Sequence, residues 1–545
     1  MKVGEAIATI LKAEGVEILA GYPVNHLIEF AAALDIRPII VRQERIGLHM
    51  ADAISRTTSG RKLGVFCMQH GPGTENAYGG VAQAFADSIP ILVVPGGYAR
   101  RLSQVSPNYN AVAQMRGISK SAESVILPAE VPNVMRRAFS RLRNGRGGPV
   151  LVEVPSDLWN EALPGPFDYT PVSPTRYGPD ASALREAARL LALAKRPVIY
   201  AGQGVHWARA WPALRQLAEL LGAPVTTSLG GKSAFPEDHP LSLGSGGLAV
   251  PKTVRHFLDQ ADVIFGVGCS FTETNFGVAM PKRKTIIHAT LDPDHLNKDI
   301  AAAVGLIGDA GVTLDGLLAE LKPTISTPRE SADTVREIAD MRAAWLAEWK
   351  PKLTSNDKPL TPYRVIWDLL HTVDVANTII THDAGSPRDQ LSPFWVTRAP
   401  LTYIGWGKTT QLGYGLGLAM GAKLVNPDKL CINVWGDAAI GFTGMDFETA
   451  VRERIPILSV LFNNFSMAIE LKVMPISTEK FRSTDISGDY AMMARAFGGY
   501  GERVTEPSEI VPAIRRGIEQ TKNGVPALLE FITGKETAVS RYLPG

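Results

Sequence analysis

Two polar turns, each at the end of an apolar run, carry the side chains with the clearest chemical use in this sequence. A run of strand length (LCINVW) ends just before Gly436-Asp437, and a second (IPILSVLF) ends just before Asn464. A helical pattern at residues 445–454 separates the runs, which predicts a βαβ unit whose two strand ends share one edge of a parallel sheet. Asp437 and Asn464 can therefore converge. A carboxylate and an amide oxygen suit a hard cation such as Mg²⁺, and a diphosphate would supply the remaining oxygen ligands.

An Asp after a strand can also do no more than cap the next helix. The 27-residue separation of Asp437 and Asn464 changes the balance, because GDAAIGFTGMD with the later NN resembles the GDG-to-NN signature of thiamine diphosphate enzymes. Ala438 replaces a glycine of that signature, and a similar variant, GDSAFGFSGME, is typical of the oxalyl-CoA decarboxylase and 2-hydroxyacyl-CoA lyase branch. The resemblance implies that Asp437, the Asn464 side chain and the Ser466 carbonyl ligate Mg²⁺. It also implies cofactor contacts by the neighbouring residues Gly436, Ala438, Ala439, Met467 and Ala468.

Composition indicates a large enzyme with several cores. The chain has 545 residues, of which 45% are hydrophobic and 20% charged, so it can form about three domains. The net charge of +2 comes with no basic stripe, which argues against a nucleic acid partner. Three separated cysteines in apolar surroundings suit a reducing compartment. Without a secretion signal or a long apolar run, we expect a soluble cytoplasmic protein with no membrane partner.

Alternating apolar runs and helical patterns predict an α/β fold of three doubly wound parallel sheets. A stretch rich in proline and glycine at residues 161–181 reads as a linker, and a charged helical stretch at 328–352 as a bridge. We therefore expect domains at residues 1–165, 182–325 and 360–540. Besides the two runs above, strands are predicted at residues 16–23, 37–44, 63–69, 89–97, 149–155, 196–202, 223–228, 261–268, 284–292, 377–385 and 526–533.

Three such domains resemble the pyruvate decarboxylase and acetolactate synthase superfamily over nearly the whole chain. The resemblance implies that the first domain binds the cofactor's pyrimidine and the third its diphosphate. The middle domain is then structural or holds a nucleotide. Because the two cofactor motifs meet across a subunit boundary in that superfamily, the resemblance implies a homodimer or homotetramer in which Glu44 of one chain faces Asp437 of the other.

Glu44 is the predicted cofactor activator. It ends the predicted strand at residues 37–44, where a lone Glu is ordinarily an ion-pair partner or a helix cap. The segment RQERIGLHMADAISR, however, resembles RHEQ…ADGYAR of acetolactate synthases. In those enzymes this Glu drives the aminopyrimidine into its imino form, which requires a raised pKa and an apolar pocket.

Two further turns of the first domain resemble cofactor loops. HGPGTEN is similar to the SGPGATN loop, which implies that Gly73 lets the backbone approach the cofactor and that Asn76 contacts the diphosphate region or the substrate. His70 is either a proton relay or a satisfied turn residue. GYPVNH aligns with the GYPGG turn, which places Pro23 at the cofactor and Asn25 where pyruvate decarboxylases have an acidic proton donor.

The third domain carries the other candidates. TQLGYG resembles GTMGFG, which implies that Leu412 props the cofactor in its bent shape next to Gln411. The turn that contains Gly385 and Ser386 lies where the diphosphate is typically contacted. Glu470 stands where pyruvate decarboxylases keep a catalytic Glu and could move a proton at the enamine intermediate, although it could also be a solvated helix residue.

Two enzyme functions fit these residues. A 2-keto acid version decarboxylates and joins small keto acids, and a thioester version cleaves a 2-hydroxyacyl-CoA or decarboxylates oxalyl-CoA, which Ala438 favours. The sequence YNA at residues 109–111 replaces the FQE of acetolactate synthases, and the short C-terminal tail argues against a CoA arm. Residues 202–204 (GQG) are weak evidence for ADP or FAD in the middle domain. A flavin or nicotinamide oxidoreductase is disfavoured because no clean GxGxxG fingerprint is present. A catalytically silent binding protein is disfavoured because Glu44, Asp437 and Asn464 are all retained.

Overall fold

The computed structural model describes residues 1–542 and contains three parallel sheets of six strands each. The first sheet has the order β2-β1-β3-β4-β6-β5. Its strands are β1 (Ile18–Gly21), β2 (Arg37–Ile40), β3 (Gly64–Met68), β4 (Ile91–Gly97), β5 (Ser121–Ser124) and β6 (Val150–Pro155). The accompanying helices are α1 (Val3–Ala13), α2 (Leu27–Ala32), α3 (Glu44–Thr57), α4 (Pro72–Ala86), α5 (Ala111–Met115) and α6 (Val131–Arg143).

The second sheet has the order β12-β11-β10-β7-β8-β9. Its strands are β7 (Pro197–Ala201), β8 (Val225–Thr227), β9 (Ser242–Ser245), β10 (Val263–Val267), β11 (Thr285–Thr290) and β12 (Val304–Ile307). Its helices are α7 (Ala181–Leu193), α8 (Gly204–Ala208), α9 (Trp211–Leu221), α10 (Lys252–Gln260) and α11 (Ala310–Leu321), and the long helix α12 (Ala332–Leu353) follows them.

The third sheet has the order β14-β13-β15-β16-β18-β17 and carries the predicted metal turns. Its strands are β13 (Thr378–His382), β14 (Tyr403–Ile404), β15 (Leu430–Gly436), β16 (Leu458–Asn463), β17 (Tyr500–Val504) and β18 (Ala527–Ile532). Its chain segment contains α13 (Pro362–Thr372), α14 (Ser386–Leu391), α15 (Tyr414–Val425), α16 (Asp437–Thr443), α17 (Phe447–Arg452), α18 (Pro475–Phe481), α19 (Tyr490–Ala496) and α20 (Ile510–Lys522). The prediction of three parallel α/β sheets is confirmed.

The second sheet shows why its strands read as continuous apolar runs. Along β7, Ile199 and Ala201 belong to one hydrophobic cluster, whereas Val198 and Tyr200 belong to another. Because successive strand residues point to opposite faces, both faces of the sheet are covered, and every position of the strand is apolar.

Two local predictions differ from the structure. The single helix expected at residues 445–454 is a shorter α17 that follows α16 and a 3₁₀ turn at Gly444–Asp446. Glu44 was expected at the end of a strand, but β2 ends at Ile40 and Glu44 is the first residue of α3. The carboxylate therefore belongs to the first turn of a helix.

The described chain forms two compact units. One contains residues 1–175, 413–427 and 443–456, and the rest of the described chain forms the other. Within the first unit α15 packs directly on α3, because Gly417 and Gly421 lack side chains: a Cβ at Gly421 would lie 2.3 Å from the Met50 carbonyl oxygen. The three cysteines are buried, and none of them forms a disulfide within residues 1–542. No helix within residues 1–542 is long and apolar enough to cross a membrane.

Candidate active site

Asp437 lies at the carboxyl edge of the third sheet, directly after β15, and is 3% exposed. Its Oδ2 accepts hydrogen bonds from the backbone N–H groups of Asn464 and Ser466, each at 3.1 Å, and its Oδ1 accepts from Ala438 N–H at 2.9 Å. Burial raises the pKa of the Asp437 carboxyl, although these backbone donors act in the opposite direction. The parallel pairing of β15 and β16 thus brings the two turns together as the βαβ argument predicts.

Asn464 presents a side-chain acceptor that none of residues 1–542 uses. Its side-chain Oδ1 is buried and has no hydrogen-bond partner among the described residues. The Ser466 carbonyl accepts from Ala468 N–H at 2.8 Å and retains a second lone pair. A buried carboxylate beside an unpartnered amide oxygen and a backbone carbonyl is a donor set that fits Mg²⁺ or another hard cation, with further oxygens from outside the chain.

The turn after β13 lies next to this edge. Gly385 adopts a φ of 84°, in the left-handed region that favours glycine, and Ser386 begins α14. A Cβ on Gly436 would lie 3.8 Å from Pro387 Cγ, so the turn and the end of β15 are neighbours. The predicted diphosphate residues Gly385, Ser386, Gly436, Ala438 and Ala439 therefore surround one strip of the sheet edge.

The remaining third-domain candidates lie in two segments, one just before α15 and one after β16. Leu412 is half-buried, and the buried Oε1 of Gln411 has no hydrogen-bond partner within residues 1–542. Met467 and Ala468 lead into a 3₁₀ turn that contains Glu470, which is also half-buried. Ile469 reaches to 3.5 Å from the position of a Cβ on Gly385, so this turn packs beside the diphosphate candidates. The roles of these residues stay predictions.

Glu44 is 4% exposed, and its surroundings suit an activator. Burial raises the pKa of its carboxyl, while its own backbone N–H and the Asn76 side chain donate hydrogen bonds that lower it. A Cβ on Gly73 would lie 3.3 Å from Glu44 Oε1, so the glycine leaves room for the carboxylate. In this structure Asn76 contacts Glu44, a partner that the sequence did not predict.

The side chain of Asn25 forms hydrogen bonds to the backbone around its loop. Its Nδ2 donates to the carbonyls of Met68 at 2.8 Å and Val94 at 2.9 Å, and its Oδ1 accepts from Leu27 N–H at 3.0 Å. All of its polar atoms are therefore engaged with backbone, so the side chain holds this loop in place, and its catalytic role stays a prediction. Pro23, two residues earlier, is exposed.

His70 contacts an aromatic ring. Its imidazole packs edge-on against Tyr98, with ring centroids 4.6 Å apart. Gly71 next to it adopts a φ of 58°, and a Cβ there would lie 2.7 Å from the Tyr98 hydroxyl. The turn is thus built around Tyr98, and the alternatives of a proton relay and a structural turn residue both stay open.

Tyr490 is a site residue that the sequence did not reveal. Its hydroxyl donates to the Asp437 carbonyl at 3.4 Å, and burial together with nearby carboxylates raises its pKa to about 12. It lies 53 residues after Asp437 in a helix without any recognisable motif. Only the packing of α19 against the sheet brings it to the site.

The glycines of the GQG turn in the middle domain serve close backbone packing. A Cβ on Gly202 would lie 2.3 Å from the Gly268 carbonyl oxygen, and one on Gly204 would lie 2.6 Å from Gly268 Cα. Backbone of the loop after β10 thus fills the space beside the turn. This packing accounts for both glycines without a nucleotide phosphate.

Comparison with known proteins identifies the family. Models for the N-terminal TPP binding domain, the central domain and the C-terminal TPP binding domain of thiamine pyrophosphate enzymes match residues 1–117, 184–317 and 383–531, respectively. The chain belongs to this family. It is therefore a thiamine-diphosphate-dependent enzyme.

The similar proteins include acetolactate synthase large subunits from distant organisms. A probable acetolactate synthase large subunit of Methanocaldococcus jannaschii is 30% identical over an alignment of 570 positions, which covers 100% of this chain and 94% of that protein. The isozyme 3 large subunit of Escherichia coli is 29% identical, with 95% and 92% covered. The large subunit of Corynebacterium glutamicum is 28% identical, with 99% and 88% covered.

Proposed function

We propose that this protein uses thiamine diphosphate and Mg²⁺ to decarboxylate a small 2-keto acid and join the remaining fragment to a second carbonyl compound, as the names of its acetolactate synthase relatives indicate for those proteins. The observation that carries the proposal is the buried Asp437 carboxylate beside the unpartnered Oδ1 of Asn464. The similarity over nearly the whole chain supports the reaction class.

Asp437, the Asn464 side chain and the Ser466 carbonyl hold the Mg²⁺ ion in this proposal. Three backbone N–H groups already orient the Asp437 carboxylate, so it needs little reorganisation to bind a cation. The backbone around Gly436, Ala438 and Ala439, with Gly385 and Ser386, then accommodates the diphosphate. When bound, thiamine diphosphate supplies a carbon nucleophile and accepts the electrons released from the bond next to the substrate carbonyl.

Glu44 exchanges a proton with the cofactor's aminopyrimidine. Burial raises the pKa of its carboxyl, and the hydrogen bond from Asn76 fixes the direction of that group. Glu470 is our candidate for moving a proton at the reacting substrate, with His70 as a proton relay and Asn25 as a further catalytic residue. Leu412 would pack against the bound cofactor.

Each of the three expected domains has its own function in this proposal. Residues 1–165 bind the pyrimidine, residues 360–540 bind the diphosphate, and residues 182–325 are structural or hold ADP or FAD. Two chains share each active site, with Glu44 of one chain and Asp437 of the other, so a homodimer is the smallest active form and a homotetramer is compatible with it.

A CoA thioester reaction is the second candidate, and Ala438 in the GDAAIGFTGMD segment is the observation that favours it. The two candidates separate in one assay. We would supply enzyme loaded with thiamine diphosphate and Mg²⁺ with pyruvate, and separately with oxalyl-CoA and a 2-hydroxyacyl-CoA. The proposal predicts release of CO₂ and a carbon-carbon coupled product from pyruvate. If the enzyme does not react with pyruvate but turns over either CoA ester, the thioester reaction is its function and the keto acid proposal is wrong.

A further inference from the structure

Asn463, the last residue of β16, shapes the turn that carries the candidate metal ligands. Its Oδ1 accepts a hydrogen bond from Phe465 N–H at 3.0 Å, while Asp437 Oδ2 accepts from the N–H groups on either side of Phe465. All three consecutive N–H groups of the turn are thus held by side chains. Phe465 adopts a φ of 55°, a left-handed conformation that is unfavourable for a non-glycine residue and persists only where surrounding contacts enforce it.

The carboxylate of Glu530 fixes the side chain of Asn463 through a hydrogen bond. Glu530 lies on β18, is fully buried, and accepts from Asn463 Nδ2 at 2.7 Å. Arg503 donates to the same carboxylate through Nε at 3.1 Å and Nη2 at 2.9 Å. Because a buried carboxylate without a partner is costly, the two hydrogen bonds from the Arg503 guanidinium offset the burial of Glu530.

Glu530 also reaches the site by a second route. Its Oε2 accepts from Ala491 N–H at 3.0 Å in the first turn of α19. The residue before Ala491 is Tyr490, whose hydroxyl donates to the Asp437 carbonyl. One buried carboxylate therefore links Asn463 at the end of β16 with the first turn of α19, and each of these contacts one of the two site turns.

We propose that Glu530, paired with Arg503, is a positioning residue for the metal site: it fixes Asn463 and α19 and thereby aims Asn464 Oδ1 and the Ser466 carbonyl at the cation. This inference rests on the proposed function, since it concerns how the same site binds its metal. Residues that hydrogen-bond to metal ligands hold those ligands in position, and their mutation typically lowers metal affinity by about 10- to 100-fold.

The test is the affinity of Mn²⁺, used as a paramagnetic substitute for Mg²⁺, measured by electron paramagnetic resonance in the presence of thiamine diphosphate. In Glu530→Gln we expect the Mn²⁺ dissociation constant to rise about 10-fold or more. The matched control is Glu502→Gln on β17, because Glu502 also pairs with an arginine, Arg516, at 3.1 Å, while β18 separates its strand from β16 and Asn463. The control should stay within about twofold of the unmodified protein, and saturating Mg²⁺ should restore cofactor binding to Glu530→Gln.

A second variant keeps the test decisive if Glu530→Gln fails to fold. Asn463→Ala removes the link between Glu530 and the turn while leaving the ion pair of Glu530 with Arg503 intact, and we expect the same loss of Mn²⁺ affinity. Folded variants that bind Mn²⁺ with the unmodified protein's constant would overturn the inference alone. Failure of the unmodified protein to bind Mn²⁺ with thiamine diphosphate would overturn the proposed function as well.

Discussion

Glu44 is a buried carboxyl group whose surroundings favour its protonated form, and at the scale of single residues it carries the most direct prediction. Glu44→Gln keeps the shape and the hydrogen bond to Asn76 but cannot exchange a proton. We expect kcat to fall by about 10²- to 10⁴-fold, the usual contribution of a positioned acid or base, with cofactor binding retained.

Steady-state kinetics with pyruvate, together with a cofactor titration, check this prediction. Glu29→Gln on the exposed face of α2 is the matched control and should keep the unmodified rate. A Glu44→Gln enzyme that turns over as fast as the control would remove Glu44 from the chemistry.

Residue types and spacing were sufficient to indicate Asp437, Asn464 and Glu44, because each lies in a short contiguous motif at the end of a strand or the start of a helix. The same reasoning could not find Tyr490 or Glu530. Both act through contacts between segments that are far apart in sequence, such as the hydrogen bond from Asn463 to Glu530 across 67 residues. It also could not foresee that backbone carbonyls would engage both donors of Asn25.

At the scale of elements, the sequence predicted the interior strands and missed strands at the sheet edges. The five strands without a sequence signal, β5, β9, β12, β14 and β17, all lie at an edge of their sheet. Interior strands are covered on both faces and read as apolar runs, whereas an edge strand such as β5 (SAES) is short and polar. The apolar sequence pattern that predicts a strand arises from its burial, so strands that are less buried lack this pattern and are not predicted.

The contact between α3 and α15 provides a stability prediction. Gly421→Ala would place a Cβ 2.3 Å from the Met50 carbonyl oxygen and 2.7 Å from Met50 Cα, and backbone cannot move aside cheaply. Alanine gains about 1 kcal/mol of helix propensity over glycine, but overpacking costs about 1–3 kcal/mol, so we expect a net loss.

Chemical denaturation measures this change in the free energy of unfolding. Gly117→Ala is the control, since a Cβ there meets no atom within 4 Å. A Gly421→Ala protein that is as stable as the unmodified one would contradict the close approach of the two helices.

The junction before α17 provides a pH prediction. Asp446 is 1% exposed and accepts hydrogen bonds at 2.8 Å from Arg42 N–H and from the Thr449 hydroxyl, and burial raises its pKa to about 6. A carboxyl whose pKa is raised on folding stabilises the protein at low pH, and this contribution is lost as the pH rises through about 6. Asp446→Asn keeps an acceptor but does not ionise.

We therefore compare the free energy of unfolding of Asp446→Asn with that of the unmodified protein at two pH values. The difference, variant minus unmodified, should increase by about 1.5 kcal/mol from about pH 5 to about pH 8. Urea denaturation at both pH values checks this, with Asp428→Asn at an exposed position as the baseline. A difference that stays constant with pH, or that moves in the opposite direction, would contradict the buried-carboxyl explanation.

At the scale of the whole molecule, the proposal that two chains share each site can be tested by mixing inactive variants. In a mixed dimer of Glu44→Gln and Asp437→Asn chains, one site receives both substitutions and the other receives none. If half of the dimers are mixed, we expect about a quarter of the unmodified activity to return.

Co-refolding or co-expression of the two variants, followed by the pyruvate assay, measures the recovery. Each variant alone is the control and should remain inactive. If each chain held a complete site, every site in the mixture would carry one substitution, and no activity would return.

The dependence on thiamine diphosphate and a divalent cation is tested by titrating cofactor-free protein with thiamine diphosphate, followed by circular dichroism in the presence of Mg²⁺ and again in excess EDTA. We expect saturable binding that requires the divalent cation and that is greatly weakened in Asn464→Ala, because the unpartnered Oδ1 is lost. Absence of saturable binding by the unmodified protein, or binding that is equally tight without a divalent cation, would contradict this dependence.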